Sequence, residues 1–148
     1  MILKLLGSQL ITLSVYFQIF RLVFKDNKII STSYYPETGL ADFQKSFAGK
    51  VLTIEFELNG QRFVAINAGD EFSFTEAVSF AVMCKDQQEI DCYWSKLSAV
   101  PSFEQRGWCK DKYGMSWQIV PENVEALMKK PGAFQVMMGQ KKIILSQY

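Results

Sequence analysis

The 148-residue sequence contains no histidine. Imidazole is the commonest general base near neutral pH and the commonest metal ligand, so histidine-dependent nucleophilic catalysis and histidine-built metal centres are both excluded. Cysteine is scarce. Cys84, Cys92 and Cys109 share no metal-type spacing, and an odd number argues against a disulfide framework, so they read as reduced thiols in a cytosol. An excess of either charge is also missing: sixteen basic residues face fifteen acidic ones, for a net charge of +1 with no run of one sign. That balance offers no stripe for nucleic acid and no patch for a membrane, and Lys129-Lys130 and Lys141-Lys142 read as solvated surface. No glycine-rich loop leads from a strand into a helix. Asn67-Ala68-Gly69 is too short for one and runs into a strand-rich region.

Apolar residues are concentrated at the start. From Met1 to Phe24 the only charges are Lys4 and Arg21, and read alone the segment resembles the hydrophobic region of a signal peptide. Gln9 and Gln18 interrupt the run and no small-residue cleavage site follows, so it is expected to supply the opening strand and helix of the domain rather than span a membrane.

With 49% hydrophobic and 21% charged residues, the chain has the length and composition of one globular domain with a real core. Strand signals dominate after Lys28. Lys28 to Tyr35 alternates β-branched and polar residues and ends at Pro36-Glu37-Thr38-Gly39. Val51 to Leu58 puts Leu52, Ile54, Phe56 and Leu58 on one face and Thr53, Glu55 and Glu57 on the other. Asn59-Gly60 then predicts a tight hairpin, with Arg62 to Asn67 returning. After a loop from Gly69 to Thr75, Ala77 to Cys84 reads as a strand. Asp86 reads as the N-cap of a helix with Glu89 in the capping-box position and Ile90, Trp94 and Leu97 on its core face. Pro101 to Arg106 breaks the pattern.

Gly107 to Pro121 reads as a hairpin whose Asp111-Lys112-Tyr113-Gly114 turn leads into an aromatic strand. Alternation places Ser116, Gln118 and Val120 opposite Met115, Trp117 and Ile119, and Pro121 ends the strand. Short helices are expected over Glu122 to Lys129 and Ala133 to Gln140, with an extended end over Lys141 to Leu145. The order strand, helix, three strands occurs once before Asp70 and once after it. The chain therefore reads as one α+β domain of two βαβββ modules, about 1–69 and 70–121, followed by a helical extension, 122–148.

Four strings, Phe56 to Gly69 (FELNGQRFVAINAG), Phe72 to Val82 (FSFTEAVSFAV), Asp86 to Leu97 (DQQEIDCYWSKL) and Gly107 to Pro121 (GWCKDKYGMSWQIVP), occur in this order. They resemble the PhnB-like family of the glyoxalase/bleomycin-resistance/dioxygenase (vicinal oxygen chelate, VOC) superfamily, whose members often carry the label 3-demethylubiquinone-9 3-methyltransferase. The resemblance implies that the two modules form a curved mixed sheet around a central cavity, and that modules pair within or between chains. It also lays Gln118 where a metal-binding Glu stands in the superfamily, and the usual His near Ala77, with Ser79 as the inward polar candidate. An amide is a weak neutral ligand, so no metal and no other cofactor is expected.

Asn67, Ser79 and Gln118 are the candidates for neutral groups orienting a ligand in an apolar pocket; the alternative is that they satisfy backbone groups or one another. Phe72, Phe74, Trp108 and Trp117 are the candidates for stacking on it, with ordinary core packing as their alternative. Trp94 is expected in the core. Cys109 beside Lys110 lacks a base, and Glu76 and Glu104 read as solvated carboxylates. Two function classes follow: a metal-independent, cytoplasmic protein binding a small hydrophobic ligand, or an enzyme on a hydrophobic or quinone-like metabolite, as a diverged glyoxalase or dioxygenase or as the methyltransferase of the label. A homodimer is expected, with the apolar Ile143-Ile144-Leu145 run as edge surface.

Overall fold

A computed structural model of the chain describes residues 2–3, 23–24, 26–68 and 74–148. The opening helix expected before Phe24 and the candidate Phe72 lie outside these residues. The chain divides into two compact units, Met1–Ser73 and Phe74–Tyr148. The expected helical extension thus belongs to the second unit.

In the first unit, β1 (Ile2–Leu3), β2 (Asn27–Tyr34), β3 (Val51–Leu58) and β4 (Gln61–Ile66) form a mixed sheet in the order β1-β4-β3-β2, with β1 parallel to β4. The predicted hairpin is present. Asn59 (φ 47°) and Gly60 (φ 79°) both adopt positive φ, the geometry a two-residue turn needs to match strand twist. Ile54, Phe56, Leu58, Phe63 and Ala65 bury one face, where the Phe56 and Phe63 rings stack at 5.5 Å. The other face is a polar ladder in which Lys28 pairs with Glu57 at 3.1 Å and Arg62 with Glu55 at 3.3 Å. Because side chains alternate with period two, a one-residue slip would bury those charges, and the pattern fixes the register.

In the second unit β5 (Ser79–Cys84) is followed by α1 (Gln87–Leu97), β6 (Trp108–Lys110) and β7 (Ser116–Pro121), giving a sheet in the order β5-β7-β6 with β5 parallel to β7. Here the module is βαββ among the described residues rather than βαβββ. Both units nonetheless run their first strand parallel to their last. Asp86 caps α1 by accepting from Glu89 N at 2.9 Å. Glu89 reaches back to Lys85 N at 3.1 Å, one residue earlier than in the standard capping box. Ile90 and Leu97 are buried against the sheet, whereas Trp94 is half-buried and so is no core anchor.

Pro121 is the last residue of β7, opposite Cys84, and ends the strand as expected. Its missing N–H is tolerated because β6 pairs only as far as Gln118, which leaves the side facing away from β5 unladdered. Short helices α2 (Val124–Met128) and α3 (Ala133–Gly139) follow. The end of the chain is then tied back onto the unit. Arg106 N and Gly107 N donate to Gln140 O and Lys141 O at 2.8 and 2.7 Å, and the Gln87 amide bonds Ile143 O and Leu145 N at 3.0 and 2.8 Å. Ile143 is therefore buried, and the Ile143-Ile144-Leu145 run is packing surface within the unit rather than a free edge.

Gly107 sits at φ 83°, and a Cβ there would lie 2.9 Å from the backbone oxygen of Ile119. Gly107→Ala meets both the left-handed penalty and this clash, and is expected to lower stability by about 2–4 kcal/mol in urea titrations. A loss under about 0.5 kcal/mol would show that the backbone relaxes freely.

Candidate functional site: the open face of the second sheet

The two faces of the β5-β7-β6 sheet differ in what covers them. On one, Val82, Cys84, Cys109, Trp117, Ile119 and Pro121 are buried with α1 against them. On the other stand Ser79, Ala81 and Met83 of β5, Ser116, Gln118 and Val120 of β7, and Trp108 and Lys110 of β6. Of these, Ala81 and Met83 are exposed, Ser116 is buried and the rest are half-buried. Register brings the candidates together, since Gln118 lies opposite Ala81 on one side and Trp108 on the other. Gln118 Nε2 donates to Ser79 Oγ at 2.8 Å. The two polar groups anticipated on this face therefore meet each other.

The remaining candidates are placed differently. Trp117 is on the helix-covered face, 3% exposed, with its ring 5.6 Å from that of Phe80. It is thus removed from the surface that carries Gln118, as alternation along β7 requires. Phe74 is half-buried just before β5. Asn67 belongs to the first unit, where its Nδ2 donates to Val51 O at 3.1 Å and its carbonyl oxygen accepts from the Tyr35 hydroxyl at 2.5 Å. Its hydrogen-bonding groups close the end of the β3–β4 ladder.

Two ion pairs lie near the open face. Lys110 forms an ion pair with Glu76 and sits 3.8 Å above the Phe103 ring. The ammonium holds the Glu76 carboxyl below its usual range. Glu104 accepts from the Ser98 hydroxyl at 2.7 Å and pairs with Lys141 at 3.3 Å, so it is a structural partner rather than a solvated carboxylate.

One residue unmarked as a site in the sequence organises the turn beneath this face. Asp111, 5% exposed, accepts from Tyr113 N at 2.9 Å, Met115 N at 3.0 Å and the Trp117 indole Nε1 at 3.0 Å. Burial pushes its carboxyl above the usual value, against the pull of those N–H donors. The signal was present as an Asp opening a four-residue turn, where its side chain characteristically caps the following amides. Nothing local said that an indole six residues on would complete the set.

Neither implied prosthetic group fits the donors available. Among the described residues no three His, Cys, Asp or Glu side chains are placed to hold a metal ion. Gln118 bonds a serine and stands opposite a tryptophan. For a methyl-donor nucleotide the natural cradle is a strand-to-helix turn, and in this unit that turn is closed on itself. Lys85 N bonds Glu89, Glu89 N bonds Asp86, and Ile90 N bonds Asp86 O at 3.2 Å. The thiols offer no nucleophile on either face, since burial first, and then neighbouring carboxylates, push Cys84 and Cys109 up to about 12.

Two α+β units, each with its first strand parallel to its last, define a glyoxalase-like, VOC-type fold. The chain belongs to the 3-demethylubiquinone-9 3-methyltransferase family, whose sequence profile matches residues 14–120. Among solved structures it is similar to the PhnB protein from Bacillus cereus, a provisionally assigned 3-demethylubiquinone-9 3-methyltransferase, with 30% identity and a TM-score of 0.60 over 80% of this chain and 95% of that one. A protein from Pseudomonas aeruginosa, 12% identical with a TM-score of 0.53 over 82% of this chain and 96% of that one, shares the fold. No curated protein matches the sequence.

Two measurements test the interior. Cys92 is the exposed thiol and Cys84 and Cys109 are buried, so a thiol reagent should modify one cysteine rapidly in the native protein and three after denaturation. Fast labelling of a second would show the sheet open. Asp111→Asn keeps the shape but turns an amide N–H toward an N–H donor, and should cost about 1–3 kcal/mol. A carboxyl whose folded pKa is raised stabilises the fold most below its unfolded value, and that contribution is lost as pH rises through the folded one. The stability gap between wild type and Asp111→Asn should therefore narrow from acid toward neutral pH; a gap that widens would mean that the donors outweigh burial.

Proposed function

We propose that the chain is a metal-independent small-molecule-binding protein that holds an apolar ligand on the open face of the β5-β7-β6 sheet. The observation that carries this reading is the pairing of Gln118, which the resemblance lays at a metal-ligand position, with Ser79. A neutral amide and a hydroxyl orient a ligand by hydrogen bonds, whereas a divalent ion would require anionic or imidazole donors. Trp108 opposite Gln118, with Met83 50% exposed on β5, supplies apolar surface for the ligand body. The family's name supports a relation to quinone-like metabolites, and the closed turn before α1 favours binding over methyl transfer.

A cytoplasmic setting is part of this reading, supported by three free cysteines. So is a homodimer. Its support is now Phe134 (57% exposed) and Met138 (45% exposed), one turn apart on α3, in place of the buried Ile143. Light scattering should give twice the chain mass at micromolar concentrations; a monomer throughout would contradict it.

Metal analysis of the purified protein tests the central point. Substoichiometric divalent metal is expected, and calorimetric titration with zinc, nickel or manganese should show no tight site. Gln118→Glu should add weak binding at most, since one carboxylate without imidazole partners is a poor site. A stoichiometric divalent ion in the unmutated protein would overturn the reading and favour an enzyme.

A further inference from the structure

The hydrogen-bonding state of the open face says which ligand chemistry it can accept. We infer that it takes an uncharged aromatic molecule carrying a group that both donates and accepts a hydrogen bond, such as a carboxamide or a phenol. This rests on the binding role proposed above and specifies it.

Gln118 and Ser79 use only part of each other's hydrogen-bonding capacity. Gln118 Nε2 donates to Ser79 Oγ at 2.8 Å, so the amide oxygen Oε1 keeps its lone pairs and the serine hydroxyl keeps its proton for a further acceptor. The face therefore presents an acceptor and a donor side by side. A carboxamide or phenol answers both. A carboxylate would turn lone pairs toward Oε1, leaving that acceptor unmet at the cost of a desolvated charge.

Charge selection points the same way. Lys110, on the face, and Glu76 beside it are paired with each other. Lys110 is further engaged over the Phe103 ring at 3.8 Å, so the cation on this face is already occupied and an uncharged ligand displaces no ion pair. The ligand body is chosen by register. Trp108 is the cross-strand partner of Gln118, and directly opposed side chains in an antiparallel pair start about 5 Å apart, so the indole lies beside the amide as a platform for a flat ring. Ala81, opposite Gln118 on β5, is small enough to leave that ring room, and Met83 beyond it offers a polarisable edge.

The test is calorimetric titration of the full chain near pH 7 with 2-naphthamide and 2-naphthoate, which share a ring and differ in charge and donor capacity. Wild type should bind the amide at least about tenfold more tightly than the carboxylate, a difference of about 1.4 kcal/mol. Gln118→Met should abolish that preference, and Trp108→Leu should weaken both probes by a similar factor. If wild type binds both probes equally and Trp108→Leu weakens both, the inference about ligand class is overturned while the binding role stands. If neither probe binds, or both bind with affinities that neither substitution changes, the binding face itself is wrong and both fall.

Discussion

The second unit depends on one buried carboxylate. Asp111 gathers two backbone amides of its own turn and the indole N–H of Trp117, tying the turn to the strand that follows. Removing a carboxylate from water is costly, and here three N–H donors offset part of that cost, only by closing the turn in one geometry. The consequence reaches past the turn. With Trp117 locked toward α1, alternation along β7 leaves Gln118 no choice but the opposite face, beside Ser79 and Trp108. The core interaction and the candidate ligand face are two sides of one strand.

The same strand explains why an interior this small holds together. Ile119 and Ile90 are fully buried where β7 meets α1, and the end of the chain is laid across the Arg106-Gly107 turn through backbone bonds and the Gln87 amide. A fully buried aliphatic side chain contributes about 1.5–3 kcal/mol, so a few such contacts decide stability in a unit of this size. The residues after the last strand are thus structural members of the second unit, although the family profile ends at residue 120.

Much of the fold was legible in the sequence because its signals are local. The Asn59-Gly60 turn, the Val51–Leu58 alternation, the Asp86 cap and the opposite facing of Trp117 and Gln118 each follow from chemistry within a few residues. What escaped depends on distant partners. Trp94 has core spacing on α1, yet no sequence rule says how far the sheet extends beneath it, and it is half-buried. Ile143-Ile144-Leu145 looks like a free apolar edge until Gln87, more than fifty positions earlier, is found holding it. Of the site, the meeting of Ser79 and Gln118 was anticipated as one of two readings, whereas the separation of Trp117 from Trp108 and the role of Asp111 required the folded sheet.

In the binding role we propose, ligand occupies the face bearing Gln118 and Trp108 and not the face bearing Trp117. Two indole N–H groups, one on each face, make this directly observable by nitrogen-15 NMR during titration with 2-naphthamide. The Trp108 indole and Gln118 side-chain amide resonances should move together and saturate, while the Trp117 indole, bound to Asp111 at 3.0 Å, stays in place. Movement of Trp117 with Trp108 and Gln118 unchanged would contradict it.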